Sequence, residues 1–179
     1  MYKTPNRRSN PLRTPSSNRV NKKNTNKPIF FVDRALGKNL VKILRNAGAN
    51  AEAHIDHFAP NSPDIEWLPE VSRRGWIVLT KDANLGRTPS EQIAIASSKA
   101  RVFVLAIGDA SGEEMVQTFI QALDSIERFI KGNQSPFIAK VYQNSRVAIW
   151  QNHTKLLKML QLSNVLCETK IGRIKQGIG

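Results

Sequence analysis

The sequence predicts an α/β fold built on a mainly parallel sheet. Short apolar runs alternate with helical stretches in the order β-α-β-α-β-α-β-α, the order of parallel strands joined by crossover helices. Three of those runs, Pro28–Val32, Trp76–Thr80 and Val102–Ile107, are almost uniformly apolar, as strands covered by helices on both faces are. A final pair of alternating stretches, 136–141 and 146–150, flanks Gln143-Asn144-Ser145 and reads as a C-terminal β-hairpin.

Taken in order, residues 1–27 show no periodicity and hold three prolines and six asparagines, which predicts a disordered basic tail. After the first strand, Leu36, Leu40, Ile43, Leu44 and Ala47 fall at helical spacing, and Gly48 stops that helix. Ala51–Ile55 is a weaker strand, because Ala, His and Glu are poor strand formers. A Pro-containing loop follows, then a helix over 64–74 with Ile65, Leu68 and Val71 at three-residue spacing and Gly75 as its stop. Thr88 caps a helix over 89–100 that carries Pro89 in its first turn. Ser111 caps a long helix with Glu113 and Glu114 where the helix dipole favours anions, and Gly132 ends it. Leu156, Leu157, Leu160 and Leu162 suit either a short docking helix over 154–166 or a frayed tail. The domain boundaries that follow are a tail at 1–27, a folded domain at 28–150 and a basic extension at 151–179.

Charge is segregated in the same way. The net charge of +13 comes mostly from the ends: residues 1–27 carry eight Lys/Arg and no acid, and residues 151–179 carry five and one. The remaining 14 basic and 13 acidic residues leave the folded part close to neutral. Basic ends favour polyanions without specifying a sequence. A single cysteine, Cys167, excludes an intrachain disulfide, and no Cys/His set has zinc spacing. No apolar run reaches the length of a membrane span. Cytoplasm is the default location. Nothing in the sequence decides whether copies associate.

The chemistry concentrates between Asp33 and Asp82. The first and third strands each break off at or near an aspartate, and in open α/β sheets ligands bind at that end. The segment between supplies Asp56, Asp64 and Glu66. Singly, each acid has an ordinary explanation: Asp33 as a helix cap, Asp82 and Asp56 as loop residues, Asp64 and Glu66 as first-turn acids. Their coincidence points to a shared acidic pocket. Asp64 and Glu66 lie about 200° apart around a helix, so both cannot face one ion, and Asp64 is the better placed. Carboxylates without thiolates suit Mg²⁺ or Mn²⁺, which bind phosphates and assist phosphodiester hydrolysis. Arg34, Lys38, Arg73, Arg74, Lys81 and Arg87 are candidates for substrate phosphates, with solvated surface as the alternative for each. His57 reads as a loop or core histidine before a proton shuttle, His54 as core, Trp67 and Trp76 as packing residues, and Asn84 as a turn residue before a water-holding one.

At these residues the chain resembles PIN-like domains, in particular the VapC-like toxin branch. The resemblance rests on Phe30-Phe31-Val32-Asp33-Arg34, Asp56-His57-Phe58, Pro63-Asp64-Ile65-Glu66-Trp67, Arg74-Gly75-Trp76 through Thr80-Lys81-Asp82, Ser111-Gly112-Glu113-Glu114, and Pro136-Phe137-Ile138-Ala139. It covers about residues 28–150 and implies a three-layer α/β/α fold with a Mg²⁺- or Mn²⁺-dependent ribonuclease site. Asp33, Asp64 and Asp82 are the implied catalytic and metal-binding residues, with Asp56 and Glu66 as candidates for a fourth. It also implies an RNA substrate and a cognate antitoxin. Ala83-Asn84-Leu85 departs from the family where a further acid often follows, which leaves the fourth ligand open.

Other α/β readings fare worse. A receiver-like phosphoacceptor needs an acid pair after the first strand, where Arg34 stands, and an aspartyl-phosphate phosphatase needs an acid at position 35, which is alanine. A non-catalytic nucleic-acid- or partner-binding module on the same fold is the remaining alternative.

Overall fold

The computed structural model describes residues 27–176, with side chains described to residue 168. The sequence-based reading of the first 26 residues as a tail lies outside the described residues. The strands are β1 (Ile29–Val32), β2 (Asn50–Ala53), β3 (Ile77–Thr80), β4 (Arg101–Leu105), β5 (Phe137–Val141) and β6 (Val147–Gln151). The helices are α1 (Gly37–Asn46), α2 (Asp64–Arg73), α3 (Pro89–Ser98), α4 (Gly112–Gly132) and α5 (His153–Gln176). Short 3₁₀ turns cover Arg34–Leu36 and His54–Asp56.

The six strands form one sheet in the order β2-β1-β3-β4-β5-β6. The first five are mutually parallel, and β6 returns antiparallel to β5 as the second arm of the hairpin. Strand alternation divides the core in two. Phe30, Val32, Ile77, Leu79, Phe103, Leu105, Phe137 and Ala139 meet α1 and α4 residues such as Leu40, Leu44, Phe119, Ala122 and Ile126. On the opposite face, Phe31, Val78, Val102, Val104 and Ile138 meet Trp67, Leu68 and Val71 of α2, Ile95 and Ala96 of α3, and Leu156 of α5. Helices on both faces make this a three-layer α/β/α domain, and explain why β1, β3 and β4 are apolar on both sides.

Two differences from the sequence reading concern the limits of elements. The weak second strand ends at Ala53, and His54–Asp56 turns as 3₁₀. The C-terminal helix runs His153–Gln176, well past residue 166. It packs along α3, and its own Leu156 is fully buried in the core. Among the described residues no helix is long and apolar enough to cross a membrane.

Candidate active site

The parallel pairing of β1 with β3 aligns Val32 with Leu79, so both strands leave the sheet at the same, C-terminal end. The Asp33 N–H continues the ladder by donating to the Leu79 carbonyl at 2.9 Å. Thr80, fully buried at the tip of β3, donates its Oγ1–H to Asp33 Oδ2 at 2.6 Å. The same hydroxyl oxygen accepts the Asp82 N–H at 3.0 Å. One threonine thus holds a carboxylate from β1 and the backbone of the next aspartate after β3. Asp82 Oδ1 in turn accepts the Asn84 N–H at 2.8 Å, closing a side-chain-to-backbone turn. Asp64 enters from the third side, as the first residue of α2.

These three aspartates line one cleft of about 620 Å³, together with Arg34, Ala35, His54, Asn61–Pro63, Trp67, Lys81, Ala83 and Asn84. The electrostatics agree with the geometry. The Asp64 carboxyl is held above its ordinary value, first by partial burial and then by the negative charges of Asp33, Asp82 and Glu91, with the Trp67 side chain pulling the other way. His54, buried among Phe31, Phe58 and Trp67, is pushed below the usual histidine value by desolvation, against the pull of Asp33 and with the help of Arg34. Its Nδ1 is buried without a hydrogen-bond partner.

Other sequence-derived candidates are not gathered into the cleft. Asp56 lies outside its lining and pairs with Lys38 at 3.4 Å. Glu66 is exposed on α2 and does not line it either. Of the basic candidates, Arg34 and Lys81 line the cleft and Lys38 and Arg87 do not. Arg34 also braces the opposite wall, donating to the Pro60 carbonyl and to Asn61 Oδ1. Arg73 and Arg74 are both taken up by Glu70, whose carboxyl they hold down at about 2. His57 bonds Glu52 at 3.0 Å and its ring lies against Trp76, outside the cleft.

Two residues that shape the site were not singled out from sequence. Thr80 was read as the last residue of a strand, and only the β1–β3 pairing turns its hydroxyl toward Asp33. Glu91 sits three residues after the Thr88 cap, the spacing of a reciprocal capping box, and that signal was present in the sequence.

The donor set in the cleft is hard: three carboxylates, with no cysteine among the lining residues. Among the described residues no group of three or more His, Cys, Asp or Glu side chains stands close enough together to hold a metal ion as it is. An open carboxylate mouth of this kind suits a small hard cation that keeps waters and shares ligands with a phosphate.

The sequence model of a family described as a PIN like domain matches residues 28–107. The protein named "Putative ribonuclease VapC45" of Mycobacterium tuberculosis (strain ATCC 25618 / H37Rv) is 31% identical over 125 residues, spanning 67% of this chain and 90% of that protein. The chain belongs to the VapC-like branch of the PIN-like domain family. The PIN-like match ends with β4, so it contains all three cleft aspartates, and the longer alignment extends beyond it. No solved structure matches the chain.

Proposed function

We propose that this VapC-like protein is a metal-dependent endoribonuclease, the toxin of a toxin–antitoxin pair, held silent by a cognate antitoxin protein. The single observation that carries the reading is the convergence of Asp33, Asp64 and Asp82 on one cleft, where the charges of Asp33 and Asp82 raise the cost of ionising Asp64. The 31% identity to a protein named as a ribonuclease supports the substrate class.

Asp33, Asp64 and Asp82 would hold Mg²⁺ or Mn²⁺. Bound there, the cation would lower the pKa of a water and neutralise charge on the scissile phosphodiester. The chain's own groups do the positioning. Thr80 fixes one Asp33 oxygen by hydrogen bonding, which leaves the other for a ligand. Asp82 is fixed through its own N–H and through Asn84, so little ordering remains when ligand arrives. Lys81 and Arg34, on the cleft lining, attract the RNA backbone.

The test is cleavage of tRNA and mRNA by purified protein across a Mg²⁺ and Mn²⁺ titration, with Asp33→Asn and Asp82→Asn alongside. Cleavage that needs the cation and disappears in both folded variants is the expected result. Cation-independent cleavage, or cleavage that survives both substitutions, refutes it.

A further inference from the structure

We infer that Glu91 is a positioning residue for Asp82, acting through the loop that links β3 to α3. The inference rests on the reading of Asp82 as a metal-binding residue, and it concerns a residue of α3 that is not among the cleft lining. Glu91 Oε2 accepts three backbone N–H groups, those of Gly86, Arg87 and Thr88, each at 3.1 Å. Beside it, the buried Gln92 donates its Nε2–H to the Gly86 carbonyl at 3.0 Å. Two adjacent side chains of α3 therefore grip both the donor and the acceptor of Gly86, together with the next two amides.

A helix cap alone does not need this arrangement. The reciprocal box between Thr88 and Glu91 requires only the Thr88 N–H bond and its return bond from the Glu91 N–H to Thr88 Oγ1 at 3.3 Å. The bonds to Gly86 and Arg87 lie outside the helix, in the loop. From there the path to the cleft is short. The Arg87 N–H also reaches the Asn84 carbonyl at 2.8 Å, and the Asn84 N–H holds Asp82 Oδ1 at 2.8 Å. The Leu85 N–H closes onto the Asp82 carbonyl at 3.3 Å, with Leu85 itself buried. The loop is thus pinned at both ends, by Thr80 at its start and by Glu91 at its return. The charge of Glu91 also adds to the field felt by Asp64.

The test compares wild type, Glu91→Ala, Glu91→Gln and Thr88→Ala by amide hydrogen exchange and by calorimetric titration with Mn²⁺ alone. Glu91→Ala should speed exchange at Asn84 and Arg87 by at least about tenfold while Leu79 stays protected. It should weaken Mn²⁺ binding by about tenfold or more, the usual effect of losing an outer-shell support. Glu91→Gln keeps an acceptor oxygen and should recover most of both. Thr88→Ala removes the cap but not the loop bonds, and should leave Asn84 exchange near wild type. The inference is overturned if Thr88→Ala reproduces the Glu91→Ala exchange, which would make Glu91 a cap only. It is also overturned if Glu91→Gln keeps the loop protected yet binds Mn²⁺ as poorly as Glu91→Ala, which would make the charge itself the agent. Wild type that fails to bind Mn²⁺ removes the metal reading of the cleft, and the exchange comparison then decides the role of Glu91 by itself.

Discussion

Thr80 and Asp33 are joined side chain to side chain at 2.6 Å across 47 residues of sequence, at the mouth of the sheet. Because the Thr80 hydroxyl also receives the Asp82 N–H, it couples the ends of β1 and β3 in one hydrogen-bonded unit. The bond is short, as those to a charged acceptor are. Replacing Thr80 by valine keeps the shape, strands the Asp82 N–H and removes a donor from Asp33. Thermal or denaturant unfolding should show a loss of about 1–3 kcal/mol. Thr80→Ser, which keeps the hydroxyl, should lose clearly less. Equal losses would mean that the methyl group, not the hydroxyl, matters at this position.

Asp64 gives a pH prediction. Its folded-state carboxyl binds a proton more tightly than the ordinary value of 3.8. Stability from this group is complete below the unfolded value and is lost as pH rises through the folded one. Asp64→Asn should therefore be more stable than wild type at pH 7 in chelator, by roughly less than 1 kcal/mol because solvent screens a half-exposed group. The advantage should fade as pH falls through the raised folded-state value and be gone below the ordinary value of 3.8. Millimolar Mg²⁺ should narrow or invert it at pH 7, since a bound cation relieves the repulsion. Unfolding curves at three pH values, with and without Mg²⁺, check each part.

Gly86 sits at φ +88 in the loop gripped by Glu91 and Gln92. A Cβ there would meet the Cδ1 of Ile138, a fully buried core residue, and the positive φ adds strain for any L side chain. Gly86→Ala should destabilise by about 1–3 kcal/mol. It should also disturb Mn²⁺ binding, because the loop carries Asp82. A variant as stable as wild type would mean that the Ile138 side chain rotates away at no cost.

The two acids left outside the cleft provide a contrast. Asp56→Asn and Glu66→Gln should alter Mn²⁺ affinity and RNA cleavage by less than about twofold, as exposed surface changes do. Asp33→Asn and Asp82→Asn should abolish both. A large effect of Glu66→Gln would require α2 to turn on binding substrate and bring that side chain into the cleft.

The order of elements, the apolar strands and the helix caps are local properties, and each was legible in the sequence. Periodicity identifies which residues face a core, and Ser111-x-x-Glu114 caps α4 by short-range bonds that need no tertiary contact. The acidic character of the Asp33–Asp82 region was legible for the same reason, since strand ends can be read along the chain. That Asp64 rather than Glu66 faces the cleft was legible too, from helix rotation, but the exclusion of Asp56 was not. Asp33, Asp64 and Asp82 meet because β1 pairs with β3 in a particular register and α2 starts beside them. Asp56 and Glu66, equally acidic in sequence, are turned elsewhere by a 3₁₀ turn and by the helical rotation of α2. The roles of Thr80 and Glu91 depend still more on three-dimensional closeness. A hydroxyl or carboxylate has the same composition whether it faces solvent or holds a backbone amide. Sequence by itself determined the elements and the chemistry available to them; the strand pairing and the packing of α2 and α3 decided which groups stand within a hydrogen bond of one another, because contact across the sheet is set by register and packing rather than by spacing along the chain.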